Sequence, residues 1–173
     1  MLHAEEFAAL VKRYKTQTGA SAKATLQRLQ EFPDVHQRLM DMAFGPDQQA
    51  ALRALADLCR KKAVREAAAP LVVREADKLM AIEDNKARKT AFALIGLCAP
   101  DACADKLADA LKRERTRFVR PSIILALGNT RTPAAYLNGY VVEPGEPKHV
   151  TAEYEALKKA LGKAAAPQTP GEL

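Results

Sequence analysis

The chain has 173 residues, which is enough for one domain and a short tail. Hydrophobic residues make up 48% and charged residues 28% of it, a balance typical of soluble proteins, while aromatic residues make up 5% and Trp is absent. No stretch approaches the roughly 20 continuous apolar residues of a membrane-spanning helix, so we expect no membrane protein. The formal net charge of +6 favours nucleic acid or an acidic protein surface as a partner.

Apolar residues recur at helical spacing along most of the chain, and no segment carries a strand or hairpin signal. The hydrophobic share is mostly Ala and Leu, which are strong helix formers. Ser21, Asp84 and Thr151 are placed to cap helices, and Pro70 predicts either a kink or a helix start. The predicted helices cover residues 2–17, 21–32, 33–44, 47–60, 64–80, 84–98, 100–113, 118–128, 132–140 and 151–161, with a loop over 141–149.

Part of the helical pattern recurs at a spacing of 32 residues, which aligns Gly96 with Gly128 and Arg88 with Arg120. A related segment over residues 47–59 aligns at a spacing of 39. The repeating unit is a helical hairpin of roughly 30–40 residues, which buries its apolar face by stacking on its neighbours. We expect Gly96 and Gly128 to end their helices in the left-handed conformation, so that Gly128→Val destabilises the last full repeat.

Two segments carry a resemblance to a known family. LMAIEDNKARKTAFALIGLC resembles a HEAT repeat, with an acidic turn residue (Asp84), a basic residue early in the second helix (Arg88) and a terminal Gly. LADALKRERTRFVRPSIILALGN is similar, so the resemblance covers roughly residues 70–129, while residues 35–59 fit more loosely. It implies an all-α fold, a right-handed stack of antiparallel helical hairpins (an α-solenoid) with about eight to ten helices. We expect this domain to span residues 1–163 and a flexible tail to span 164–173.

A narrower resemblance concerns TRFVRPSIILALGN. It is similar to the helical-repeat region that precedes the methyltransferase domain in some bacterial RNA methylases. That resemblance implies an accessory or substrate-docking module of a larger methyltransferase. The chain has no Gly-rich strand–turn–helix motif for a methyl donor, so we expect no cofactor.

Cations are concentrated at equivalent places in the two repeats. Stacking would bring the two clusters into one stripe that follows the phosphates of a nucleic acid. The alternative is structural, because cations at helix C-termini complement the helix dipole and Arg88 and Arg120 suit a ladder between turns. The candidate nucleic-acid-binding residues are Lys86, Arg88, Lys89, Lys112, Arg113, Arg115, Arg117 and Arg120.

Other chemically active side chains form no recognisable motif. Phe118 lies within the basic cluster, where a ring would stack on bases, but its place at the turn favours a core role. Cys59, Cys98 and Cys103 predict buried, reduced thiols and a cytoplasmic setting. The three histidines are far apart in the sequence, so we expect neither a metal site nor a catalytic residue.

Three functions from different classes follow from these patterns. The favoured one is a non-catalytic binding scaffold that docks nucleic acid, with RNA preferred, along the basic stripe. The second is a protein–protein interaction adaptor that uses the concave face of the stack. The third is a DNA glycosylase, because some HEAT-like proteins are alkylpurine DNA glycosylases; the absence of Trp argues against it, since those enzymes grip the lesion with aromatic side chains.

Overall fold

The computed structural model describes residues 2–162 and has ten α-helices and no β-strand in that range, which confirms the all-α class. The predicted tail over 164–173 lies outside the described residues. None of the ten helices combines the length and apolar character needed to cross a bilayer. The helices are α1 (Leu2–Tyr14), α2 (Gly19–Gln30), α3 (Val35–Met42), α4 (Gln48–Leu58), α5 (Lys62–Met80), α6 (Asn85–Cys98), α7 (Ala104–Arg113), α8 (Arg120–Gly128), α9 (Pro133–Leu137) and α10 (Pro147–Leu161).

One of the three predicted helix caps is confirmed. The carboxylate of Asp84 accepts a hydrogen bond of 2.8 Å from the backbone N–H of Ala87 and caps α6. The prediction for Ser21 is wrong, because α2 begins earlier and the Ser21 hydroxyl donates to a backbone carbonyl instead. The prediction for Thr151 is also wrong: α10 begins at Pro147, whose fixed φ favours the first turn, so Thr151 lies inside the helix.

The chain forms two compact units, and the division between them falls within α5. Unit 1 extends to Leu71 and unit 2 begins at Val72, one residue after Pro70. Pro70 neither starts nor ends α5, which continues through it. Because proline has no backbone N–H, α5 lacks one of its hydrogen bonds at this point.

Unit 1 packs α1 against α2 and α4, and α3 against α4. Tyr14 ends α1 and is 1% exposed, and its hydroxyl donates to the carboxylate of Asp57 on α4. The guanidinium of Arg53 lies 4.6 Å from the centre of the Tyr14 ring and donates to the backbone carbonyls of Tyr14 (3.1 Å) and Gln17 (2.9 Å). Side chains of α4 therefore satisfy carbonyls that the end of α1 leaves unpaired. Burial, followed by the hydrogen bond to Asp57, raises the pKa of Tyr14.

Unit 2 is organised around α8, which packs against α6, α7, α9 and α10. Its sequence, RPSIILALG, has no polar face, because helices cover it on several sides. Ile123, Ile124 and Leu127 are each 0% exposed. A short apolar helix of this kind is stable only through the helices packed around it.

Gly96 and Gly128 mark the closest helix contacts in unit 2, and the expectation that they adopt the left-handed conformation is wrong. Neither has a positive φ. A Cβ added at Gly96 would lie 2.8 Å from Cα of Ala126, and one added at Gly128 would lie 2.6 Å from Cβ of Ala160. The glycines are required because α6 and α10 approach α8 too closely for a side chain.

We expect Gly128→Ala to lower the free energy of unfolding by about 1–3 kcal/mol, the usual cost of overpacking, although alanine is the better helix former. Gly45→Ala is the matched control, since its added Cβ would meet nothing nearer than the Met42 carbonyl oxygen at 3.7 Å and Gly45 has no positive φ. Urea unfolding of the two variants measures the difference. Equal stability of Gly128→Ala and the unmodified protein would contradict the close contact of α8 with α10.

Candidate functional site

Arg88 is a structural cation of unit 2. It is the fourth residue of α6, and its side chain is 12% exposed. Its Nε and Nη2 atoms bind the two carboxylate oxygens of Glu114 at 3.1 and 2.7 Å, an arrangement that favours a planar guanidinium. Its Nη1 atom donates to the carbonyls of Ile82 (2.9 Å) and Glu83 (3.0 Å). Arg88 therefore joins the turn before α6 to the linker between α7 and α8, and Glu114 neutralises its charge.

Glu153 on α10 is the centre of a second ionic cluster. Its carboxylate is 0% exposed and accepts hydrogen bonds from Nε of Arg117 at 2.5 Å and from the hydroxyl of Tyr140 at 2.9 Å. Nε of Arg120 lies 3.9 Å from the same carboxylate. A buried carboxylate needs this compensation, because removing it from water costs several kcal/mol.

The same cluster fixes its remaining partners. Nη2 of Arg117 donates to the Glu143 carbonyl at 2.9 Å, which attaches the loop before α10 to the start of α8. The guanidinium of Arg120 lies 5.6 Å from the centre of the Tyr140 ring. Burial, together with the hydrogen bond to Glu153, raises the pKa of Tyr140 and keeps the phenol protonated as a donor.

The structural alternative for Arg88 and Arg120 thus applies to Arg117 as well. The partners differ from the sequence expectation: Asp84 caps α6, and Arg88 binds Glu114 instead. Sequence reasoning missed Glu153. Its position three residues before the buried Ala156, and four before the buried Leu157, puts it on the apolar face of α10, which is the signal that would have found it.

The other candidate cations remain at the surface. Lys86, Lys112, Arg113 and Arg115 are exposed, and Lys89 is half-buried. The ammonium nitrogen of Lys89 lies 4.4 Å from the centre of the Phe118 ring, and Phe118 is itself 38% exposed. We call Lys86, Lys89, Arg115 and Phe118 the basic edge. Its two parts, on α6 and on the linker between α7 and α8, are held together by the Arg88–Glu114 pair.

Lys112 and Arg113 occupy the last turn of α7, where they complement the helix dipole. Nε of Arg113 donates to the carbonyl of Asp109 at 3.3 Å. Its side chain also lines a groove of about 590 Å³, whose other charged residues are Asp77, Lys106, Asp109 and Glu114. The carboxylates of this groove offset the charge of Arg113, so it adds less positive potential than Arg115 does.

The other candidate chemistries have no constellation in the described part of the chain. Within residues 2–162, no group of three His, Cys, Asp or Glu side chains is placed to hold a metal ion. Cys59 and Cys103 are buried, and none of the three cysteines forms a disulfide. Burial raises the pKa of the Cys103 thiol, which keeps it protonated and weakly nucleophilic.

No family model, curated protein or solved structure matches this chain. Function is therefore inferred from the chemistry of the site itself.

Loss of the buried carboxylate should be costly. We expect Glu153→Ala to lower the free energy of unfolding by about 3–5 kcal/mol, because Arg117 and Arg120 would lose their counter-charge. Glu155→Ala is the matched control on the same helix; Glu155 is exposed, so the change should stay within about 0.5 kcal/mol. Chemical unfolding followed by circular dichroism measures both, and a Glu153→Ala protein as stable as the control would contradict the role given to this cluster.

Proposed function

We propose that the chain is a non-catalytic binding scaffold of HEAT-like hairpins, and that it docks nucleic acid, with RNA preferred, on the basic edge. The observation that carries the proposal is the exposed Phe118 ring beside Lys89, with Lys86 and Arg115 exposed on the same edge. Surface cations that bind phosphates and an aromatic ring that stacks on bases are the two elements that sequence-tolerant nucleic-acid sites combine.

The proposed stack of hairpins, with the right-handed arrangement that HEAT repeats imply, is supported by the helix contacts of unit 2. The close contacts involve Gly96, Gly128 and Ala160, which are spaced 32 residues apart. The repeat inferred from the sequence thus extends by one further position into α10. Recurrence of one small-residue contact at one spacing is typical of stacked repeats.

The charge distribution supports the basic edge over the whole predicted stripe. Only a cation that is not already paired releases counterions from a phosphate backbone when it binds. Arg88, Arg117 and Arg120 are paired with Glu114 or Glu153 and are largely buried. Lys86 and Arg115 are exposed and make no ion pair within residues 2–162. They are the cations we propose to contact phosphates, together with Lys89.

RNA is preferred to DNA because residues 116–129 resemble the helical-repeat region of bacterial RNA methylases. On that resemblance the chain would present an RNA to a methyltransferase domain. We do not extend the proposal to glycosylase activity, since no observation favours it.

A protein-binding adaptor is the second candidate, and the groove beside α7 favours it. The groove combines the apolar side chains Met80, Phe92 and Ala110 with charges of both signs, a composition suited to a peptide. Co-purification of a specific partner that survives nuclease treatment would support the adaptor.

We expect the nuclease-treated protein to bind labelled RNA with an affinity that falls steeply as salt rises, because the contacts are to phosphates. Arg115→Glu should weaken binding and lower the slope of log affinity against log salt by about one. Lys23→Glu is the matched control, since Lys23 is exposed on α2 and the charge change is the same. Fluorescence anisotropy at two salt concentrations measures both variants.

Two outcomes would count against this proposal. Absence of RNA and duplex DNA binding at low salt would make the positive charge incidental. Equal weakening by Arg115→Glu and Lys23→Glu would show that net charge, and not the basic edge, attracts the nucleic acid.

A further inference from the structure

We infer that the basic edge takes unpaired, single-stranded nucleic acid, and that Phe118 is the platform on which one base stacks. The inference rests on the proposed function and adds the form of the ligand. It also assigns Phe118 a role that differs from the core role its sequence position favours.

Phe118 is not needed to close the turn between α7 and α8. Val119 does so, since it is 0% exposed while Phe118 is 38% exposed. Two consecutive apolar residues thus point in different directions, one into unit 2 and one towards solvent. A base that covered the Phe118 ring would remove apolar surface from water, which gives the ring a stabilising role only in a complex.

Lys89 holds the exposed ring in place and puts a positive charge beside it. The separation of 4.4 Å between its ammonium and the ring centre is within the range of a cation–π contact. Lys86 lies one turn earlier on the same side of α6 and is exposed. A ring with cations next to it matches one nucleotide, whose base stacks on an aromatic side chain while its phosphates meet the cations.

A duplex cannot use this platform as a single strand does. In a duplex, the faces of each base are covered by the bases above and below, whereas an unpaired base presents a face for stacking. Aromatic wedges that do enter duplexes are inserted between base steps. Phe118 is more than half covered and is held by Lys89, so it offers a surface for stacking and no protruding wedge.

The absence of Trp from the chain allows a direct test. Phe118→Trp would place the only indole of the protein on the platform while keeping it aromatic. We expect a short single-stranded RNA to quench this indole fluorescence, and the same sequence annealed into a duplex to leave it nearly unchanged. Phe44→Trp is the matched control because Phe44 is 39% exposed, almost as much as Phe118, but lies between α3 and α4. Its indole should not be quenched.

A second variant measures the energy of stacking. Phe118→Leu keeps an apolar side chain without the aromatic face. We expect it to weaken single-strand binding roughly 5- to 150-fold, the range of one lost base–aromatic stack, and to leave duplex binding unchanged. Phe118→Tyr should restore single-strand affinity. An unaltered thermal midpoint for Phe118→Leu would show that the loss is not one of folding.

The outcomes separate the two proposals. Single-strand binding that Phe118→Leu weakens and Phe118→Tyr restores supports the inference. Equal binding of single strands and duplex, or equal quenching of the indoles at positions 118 and 44, overturns the stacking platform but leaves the basic edge as a nucleic-acid site. No binding of either form overturns both.

Discussion

A carboxylate that has left water must keep its counter-charges beside it, and Glu153 imposes this constraint on much of unit 2. Its oxygens meet Arg117, Arg120 and the hydroxyl of Tyr140, so these three side chains stay where the carboxylate holds them. Through Arg117 the constraint reaches the carbonyl of Glu143 in the loop before α10. The start of α8, the loop and α10 are therefore held together by one buried charge.

The same constraint decides which cations are available to a partner. Arg115 and Arg117 are two residues apart, yet Arg115 is exposed and Arg117 is bound to Glu153. One repeat earlier, Arg88 is taken by Glu114, while Lys86 and Lys89 remain at or near the surface. The internal arginines have a positioning role, since the Arg88–Glu114 pair keeps the linker that bears Arg115 and Phe118 next to α6.

Close helix packing provides the scaffold for this edge. Because α8 is apolar on all sides, its neighbours must cover it, and the absence of side chains at Gly96 and Gly128 lets α6 and α10 come within contact distance. Proteins that stack hairpins in this way present rows of equivalent positions on a surface. In unit 2 the first residues of α6 and the linker before α8 occupy such positions. The scaffold and the edge are thus consequences of one repeat.

The sequence by itself determined the local features of this protein, which are the all-α class, nearly every helix, the Asp84 cap and the spacing of 32 residues. Each depends on residues a few positions apart, whose periodicity and turn chemistry can be read along the chain. Only the tertiary structure decided that Gly96 and Gly128 serve helix contact, that Glu153 pairs with Arg117, and that Phe118 is exposed while Val119 is buried. The partners in these cases come from other helices, such as Ala160 for Gly128 and Glu153 for Arg117. A cation in a sequence has the same formal charge whether or not a distant carboxylate neutralises it, so its availability depends on the fold.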